Sequence, residues 1–422
     1  MHKYLFLLLL FPGLAAGQIQ DTLTLFKCYE MAIGSDPAMH EKMLLENQYQ
    51  LKIKNAGVGW YPSLDMNGSY TWQSEVVELG EVIPVPGFDI PVMPHYNYKL
   101  TLDIRQTIYD GGLAKSQKAV ENSNYSLGQQ QIDVELYTLK DRVNIIYFYL
   151  LILQKQEEMA SLMLDELKQK RMIVESGVKN GILLSSDLDL IMAEILKVEQ
   201  QLSEIKISEQ SACEILGLLI GNEFNKVTRL VIPDIDVDVT RMSERPEYQL
   251  FELQINNLDA SKKMVRTQRI PKLYAFGTVG YGNPALNFFR DEFRGYYIVG
   301  AGLQWKLWDW GKTNRERQVL TIQQEIVESK KESFEKNLEI MLKDELAKII
   351  KYEESVKTDE EIVILREKIT RTAASQLENG VITSADYITE LNAETQAKIR
   401  LETHKIQLVQ ARINYLTKKG NI

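Results

Sequence analysis

The sequence predicts an α+β membrane protein built as an internal duplication, with long coiled-coil helices and four β-strands per chain. Three observations predict it. The order of motifs is written twice, two stretches of about 60 residues read as uninterrupted helix, and four segments alternate apolar with polar residues.

The duplication comes first because repeats fix architecture. Asn180-Gly181-Ile182-Leu183-Leu184-Ser185-Ser186-Asp187 returns 199 positions later as Asn379-Gly380-Val381-Ile382-Thr383-Ser384-Ala385-Asp386. Ile108-Tyr109-Asp110-Gly111-Gly112 returns at the same offset as Leu307-Trp308-Asp309-Trp310-Gly311. Pro37 and Pro62 return as Pro246 and Pro271 at offset 209, so ten extra residues lie between Pro62 and Asp110 in the first copy. The expected organisation is a leader at 1–17, a first repeat at 18–220, a linker at 221–245 and a second repeat at 246–422.

Residues 1–17 read as a secretory signal peptide. Lys3 precedes the apolar run Leu5–Phe11, Pro12-Gly13 breaks it, and Ala15-Ala16-Gly17 offers a cleavage site before Gln18. Gln18 stands where a lipoprotein would carry its acceptor cysteine, so no lipid anchor is expected. No other run approaches the ~18 apolar residues of a membrane helix. A net charge of −9 argues against nucleic acid as a partner. The only cysteines, Cys28 and Cys213, are too few for a disulfide framework, and His2, His40, His95 and His404 show no zinc spacing. No cofactor, metal site or catalytic constellation is expected, and an enzyme is the least favoured class.

Helices are expected at about 23–56 and 247–268. Leu113 to about Glu175 has no proline and one glycine, and Lys312 to about Glu378 has neither. Leu136, Leu139, Val143, Ile146, Leu150 and Leu153 step by threes and fours, the helical period. A helix of about 60 residues extends roughly 90 Å. Shorter helices follow at about 186–219 and 384–416. Between long and short helices lie two tips, about 177–187 and 377–387. There Gly181 and Gly380 end one helix, and Ser185, Ser186, Asp187, Thr383, Ser384 and Asp386 supply oxygens to cap the next.

Strands are expected at about 60–75, 95–109, 271–282 and 295–308. Leu64, Met66, Gly68, Tyr70 and Trp72 interleave with polar residues, as do Tyr96, Tyr98, Leu100, Leu102 and Ile104. Tyr297, Val299, Ala301, Leu303, Trp305 and Leu307 share one face of the fourth; the third alternates less cleanly. A membrane β-barrel strand needs this pattern, and a half-buried sheet of a soluble domain gives it too. The leader and the tyrosine and tryptophan enrichment favour the membrane. Four strands cannot close a barrel, and an open edge in lipid leaves backbone groups unpaired. Spanning strands therefore predict an obligate oligomer.

The chain resembles the TolC-like outer-membrane efflux protein family over nearly all of its mature length. The resemblance is carried by Leu23-Thr24-Leu25 with Asp36-Pro37, Tyr61-Pro62-Ser63-Leu64, Tyr109-Asp110-Gly111-Gly112, Leu216-Gly217 with Gly221, and Arg245-Pro246-Glu247. Pro271-Lys272-Leu273, Trp308-Asp309-Trp310-Gly311 and the Gly380–Asp386 tip complete it. It implies a homotrimer in which each chain gives four strands to a twelve-stranded transmembrane β-barrel, while the helices form a hollow α-barrel. It implies an outer-membrane location in a Gram-negative bacterium, reaching into the periplasm. The implied partners are outer-membrane lipid, a periplasmic adaptor and an inner-membrane transporter of RND or ABC type.

The resemblance also implies site residues. In the family's best-described members aspartates narrow the periplasmic entrance, and links from an arginine and a tyrosine hold it shut. Aligned on Gly380, Asp386 takes a ring-forming position and Asp187 the matching one in the first tip. Ile382 stands at the arginine's position and Thr389 at the second aspartate's, so the charged lock does not carry over. Asp386 reads either as an acidic ring about the trimer axis or as a carboxylate complementing a helix N-terminus. Gly181, Ile182, Leu183, Gly380 and Val381 are expected to meet the adaptor, or else to pack tip against tip. The outward loops carry Pro84, Pro86, Pro91 and Pro94 in the first copy, and Phe288 and Phe289 in the second.

The function expected is the exit duct of a tripartite efflux system for small molecules. A duct for type I protein secretion shares the architecture. A secreted coiled-coil structural protein or adhesin is the reading from another class.

Overall fold

A computed structural model describes residues 23–77, 93–222, 230–288 and 290–422. The leader, Phe289 and the loop prolines Pro84, Pro86 and Pro91 lie outside the described residues.

The elements run α1 (Leu25–Ser35), α2 (Pro37–Val58), β1 (Ser63–Trp72), β2 (Tyr96–Tyr109), α3 (Leu113–Lys179) and α4 (Ser185–Ile220). They continue as α5 (Pro246–Thr267), β3 (Lys272–Asn283), β4 (Arg294–Gln304), α6 (Lys312–Glu378) and α7 (Ser384–Lys419). Matched helices agree in length: 22 residues in α2 and α5, 67 in α3 and α6, 36 in α4 and α7. At 1.5 Å per residue, α3 and α6 are each about 100 Å long. Among the described residues no helix is long and apolar enough to cross a membrane.

Two expectations are corrected. The helix expected to run unbroken from Leu23 to Ala56 is two helices, parted at Asp36. Proline pushes the residue before it out of the helical region, and Asp36 sits at φ −70°, ψ 134°. Its Oδ1 then accepts the Ala38 N–H at 2.8 Å and caps α2, while Pro37 takes the first helical position, where its missing N–H costs nothing. The fourth strand ends at Gln304, so Trp305 and Leu307 lie past the sheet. Trp305 instead donates its indole N–H to the Arg269 carbonyl at 3.1 Å.

The chain folds into two compact units, each discontinuous in sequence. Of the described residues, the first takes those within 1–39, 136–245 and 337–422, the second those within 40–135 and 246–336. Neither coincides with a sequence repeat, because each repeat contributes residues to both.

In the first unit, α1, α4, α7 and part of α3 enclose a core. Tyr147, Phe148, Leu150, Leu216 and Ile413 are fully buried there. Removing a side chain such as Leu150 costs about 2–5 kcal/mol. The Tyr147 hydroxyl donates to a backbone carbonyl, with Leu23 O at 2.9 Å and Val231 O at 2.6 Å, and accepts the Val231 N–H at 3.1 Å. It thereby pins the start of the chain and the segment after α4, which also meet in a parallel bridge, Leu23 to Leu230.

The second unit holds one antiparallel sheet of order β1-β2-β3-β4. Register pairs Leu64 with Ile104, Leu100 with Tyr281, and Val279 with Tyr297. Side chains alternate sides along a strand, so Leu64, Met66, Leu100, Leu102, Val279, Tyr281, Val299 and Leu303 share one face, all exposed. The other face carries Asp65, Asn67, Lys99, Thr101, Asp103 and Thr278. There Asp103 accepts from Thr278 Oγ1 at 2.5 Å, and from Asn67 Nδ2 and Thr101 Oγ1 at 2.9 Å each. Strands β1 and β4 are the edges.

Candidate functional site

The two tips close alike. At both, the chain reverses through glycine in the left-handed region, Gly181 at φ +73° and Gly380 at φ +70°. The next N–H reaches five residues back, Ile182 to Gly177 O at 2.9 Å and Val381 to Gln376 O at 2.8 Å. This is the helix C-terminal motif that glycine serves best.

The tips lie side by side in the first unit. A Cβ built on Gly380 would sit 3.5 Å from Ile182 Cγ2. Beneath them Leu167, Val174, Ile191, Leu377, Tyr387 and Leu391 form one buried cluster. Ile182 is 65% exposed and Val381 69%. Leu183 is half-buried against this cluster and lies over Gly177, where a Cβ would meet Leu183 Cδ1 at 2.8 Å. The outward leucine of the first tip is instead Leu184, 70% exposed.

The matched aspartates do different things. Asp386 is exposed, three residues into a capping box. Its Oδ2 accepts from Thr383 N at 3.0 Å and Thr383 Oγ1 at 2.7 Å, and Thr383 Oγ1 accepts the Asp386 N–H at 3.3 Å. The Thr383 hydroxyl, then its backbone N–H, hold the Asp386 carboxyl below the usual carboxylate range. Asp187 is 6% exposed. Its Oδ2 accepts the Leu184 N–H at 3.1 Å, and its Oδ1 accepts the Ser384 N–H of the other tip at 3.0 Å. Leucine offers no oxygen where Thr383 stands in the second copy, so Ser185 is not the cap of α4. Asp187 caps α4 from its third position and caps α7 across the tip.

Ile382, Asp386 and Thr389 come together. They line one groove of about 590 Å³ with Lys368, Gln376 and Glu390. Glu390 is held by Arg366 at 3.0 Å. Neighbouring Tyr387 is buried and donates its hydroxyl to Glu166 Oε1 at 2.7 Å. Burial, then the Glu166 carboxylate, push its phenol well above the ordinary range, so it stays a donor. Lys170 pairs with Glu378 at 2.6 Å, its ammonium 5.6 Å from the Tyr387 ring centre.

Sequence reasoning missed Leu184, Tyr387 and the Asp187–Ser384 tie. Leu184 had a signal, since its mate Thr383 is a capping residue and leucine is not. The other two join groups 221 and 197 residues apart, and nothing local marks them.

The family model described as outer membrane efflux protein matches residues 28–222. The crystal structure of CusC, reported for the changes that accompany folding and transmembrane channel formation, superposes with a TM-score of 0.71 at 14% identity, covering 94% of this chain and 92% of that one. The outer membrane protein VceC of Vibrio cholerae gives 0.68 at 14%, covering 94% and 96%. The CmeC outer membrane channel of Campylobacter jejuni gives 0.67 at 13%, covering 94% and 85%. No curated protein sequence matches. The family match covers the first repeat, and the fold over both repeats is that of these solved outer membrane channels.

Proposed function

We propose that this chain is the outer-membrane exit duct of a tripartite efflux system in a Gram-negative bacterium, passing small molecules outward. It acts as a homotrimer, with a periplasmic adaptor and an inner-membrane transporter as partners. The observation that carries this reading is the sheet. One face is apolar along its length, and among the described residues both edge strands, β1 and β4, lack a neighbour on their outer side. Lipid tolerates the first and forbids the second, so edges of adjacent copies pair and close a twelve-stranded barrel.

At the other functional region, Asp386 repeats threefold as an acidic ring at the periplasmic entrance, with Ile382 and Thr389 beside it. Its exposed carboxylate supports that role. Asp187, with both oxygens occupied, holds the two tips together. Ile182 and Val381, set outward by Gly181 and Gly380, form the adaptor contact. Leu184 joins them in place of the half-buried Leu183.

The test is reconstitution. The protein is expected in the outer-membrane fraction, to require detergent, to run as a trimer, and to form cation-selective channels in planar bilayers. A soluble monomer overturns the duct. Channels whose cation selectivity and divalent-ion block survive Asp386→Ala overturn the ring. Cysteines placed at Ile182 or Val381 are expected to crosslink to the cognate adaptor; crosslinks only between channel chains overturn the docking surface.

A further inference from the structure

Three aromatic rings on the polar face of the sheet lie flat. Register sets Tyr274 opposite Gly302, Phe276 opposite Gly300, and Tyr296 opposite Gly280. In each pair the ring crosses onto its neighbour's backbone. A Cβ on Gly302 would sit 2.4 Å from Tyr274 Cζ, on Gly300 2.6 Å from Phe276 Cζ, and on Gly280 2.3 Å from Tyr296 Cζ. Any residue but glycine would occupy the space each ring fills. The Arg105 guanidinium lies 3.9 Å above the Tyr274 ring centre, so backbone, ring and cation are stacked. The apolar face behaves differently. Gly277 and Gly295 meet nothing closer than a carbonyl oxygen at 3.9 Å, and no ring covers them.

This matters because of which face the rings occupy. In a closed barrel the apolar face meets lipid and the polar face meets the lumen. An upright tyrosine or phenylalanine projects its full length inward, whereas a flat ring takes only a contact distance of about 3.5–4 Å. Three chains repeat each obstruction three times around a narrow wall.

We propose that Gly280, Gly300 and Gly302 set the bore of the strand barrel by holding Tyr296, Phe276 and Tyr274 flat against its inner wall. The proposal rests on the barrel reading above. The glycines are bore-determining positions in the conduit, and the strand end of the duct is wide because of them.

The experiment uses the full-length trimer in planar bilayers, reading unitary conductance and the cut-off for neutral polymers added on the side of the strand loops. Polymer entry there reads the strand bore even when the helical entrance limits current. Gly300→Ala and Gly302→Ala are expected to lower the polymer cut-off and to lose conductance. Gly300→Ala combined with Phe276→Ala is expected to return the cut-off to the wild-type value, and Gly277→Ala to leave it unchanged. Phe276→Ala alone is expected to change the bore little, because the flat ring projects no further than its own contact thickness. This variant decides the matter even if an alanine at position 300 prevents assembly. A wild-type cut-off in Gly300→Ala trimers, or a marked widening in Phe276→Ala, overturns the proposal. Absence of any channel from the wild-type trimer overturns instead the barrel reading beneath it.

Discussion

Asp187→Ala removes a carboxylate that caps two helices at once. The side chain is buried, and its oxygens accept the Leu184 N–H at 3.1 Å and the Ser384 N–H at 3.0 Å. Loss of a helix cap costs about 1 kcal/mol in a typical case. The Ser384 N–H is then left buried without an acceptor, which costs about 1–3 kcal/mol. The sum is about 3 kcal/mol of local stability at the tips. At about 1.4 kcal/mol per factor of ten, opening of the start of α7 becomes roughly a hundredfold more frequent. Hydrogen exchange resolved by peptide on the detergent-solubilised protein reads this directly, since local opening governs exchange. Asp187→Ala is expected to accelerate both 184–190 and 384–390. Asp386→Ala, whose carboxylate caps only its own helix, is expected to accelerate the second segment alone. Wild-type exchange at 384–390 in Asp187→Ala would refute the reasoning, because the tie across the tips would then carry no stability.

Gly380→Val forces a β-branched residue to φ +70°; the left-handed region costs about 1–2 kcal/mol for an L-residue, and the expected outcome is faster exchange at 376–382 with the sheet unaffected. Burial pushes the Cys28 thiol up to about 12, and Cys213 is buried as well; native protein at pH 8 is expected to resist maleimide and to take two labels on denaturation. The Thr313 hydroxyl, then the Thr313 and Gly311 N–H groups, hold the Asp309 carboxyl below its ordinary range. With the folded pKa below the unfolded value near ~4, its contribution is complete above that pH and lost as pH falls through the lower folded value. Melting of the full chain is expected to show an acid limb, and Asp309→Asn to make it shallower, since Asp386 contributes in the same direction.

Much of the fold was legible because the duplication repeats every signal. The parting of α1 from α2 was written there too: Pro246 opens α5, so its mate Pro37 should open α2, and it does. Reading 23–56 as one helix ignored what proline does to the residue before it. The fourth strand was read too long because alternation continues through Trp305 and Leu307. A period of two marks an extended chain, not a paired one, and pairing stops at Gln304. At the tips the sequence placed Gly181, Gly380, Ile182 and Val381 where the structure has them, because glycine's left-handed φ and the cap chemistry are local. It could not tell Asp187 from Asp386, since the two copies match in spacing and differ in surroundings.

The sequence by itself determined the doubled order of elements, the helix lengths and the two-faced strands. Each follows from residue period, proline and glycine within a few positions. Only the tertiary structure decided which matched aspartate is buried and which rings lie flat over glycine. Those outcomes rest on groups brought together from nearly 200 residues apart, or from neighbouring strands in one register. A residue's partners across such distances are set by packing and pairing, which no local pattern encodes.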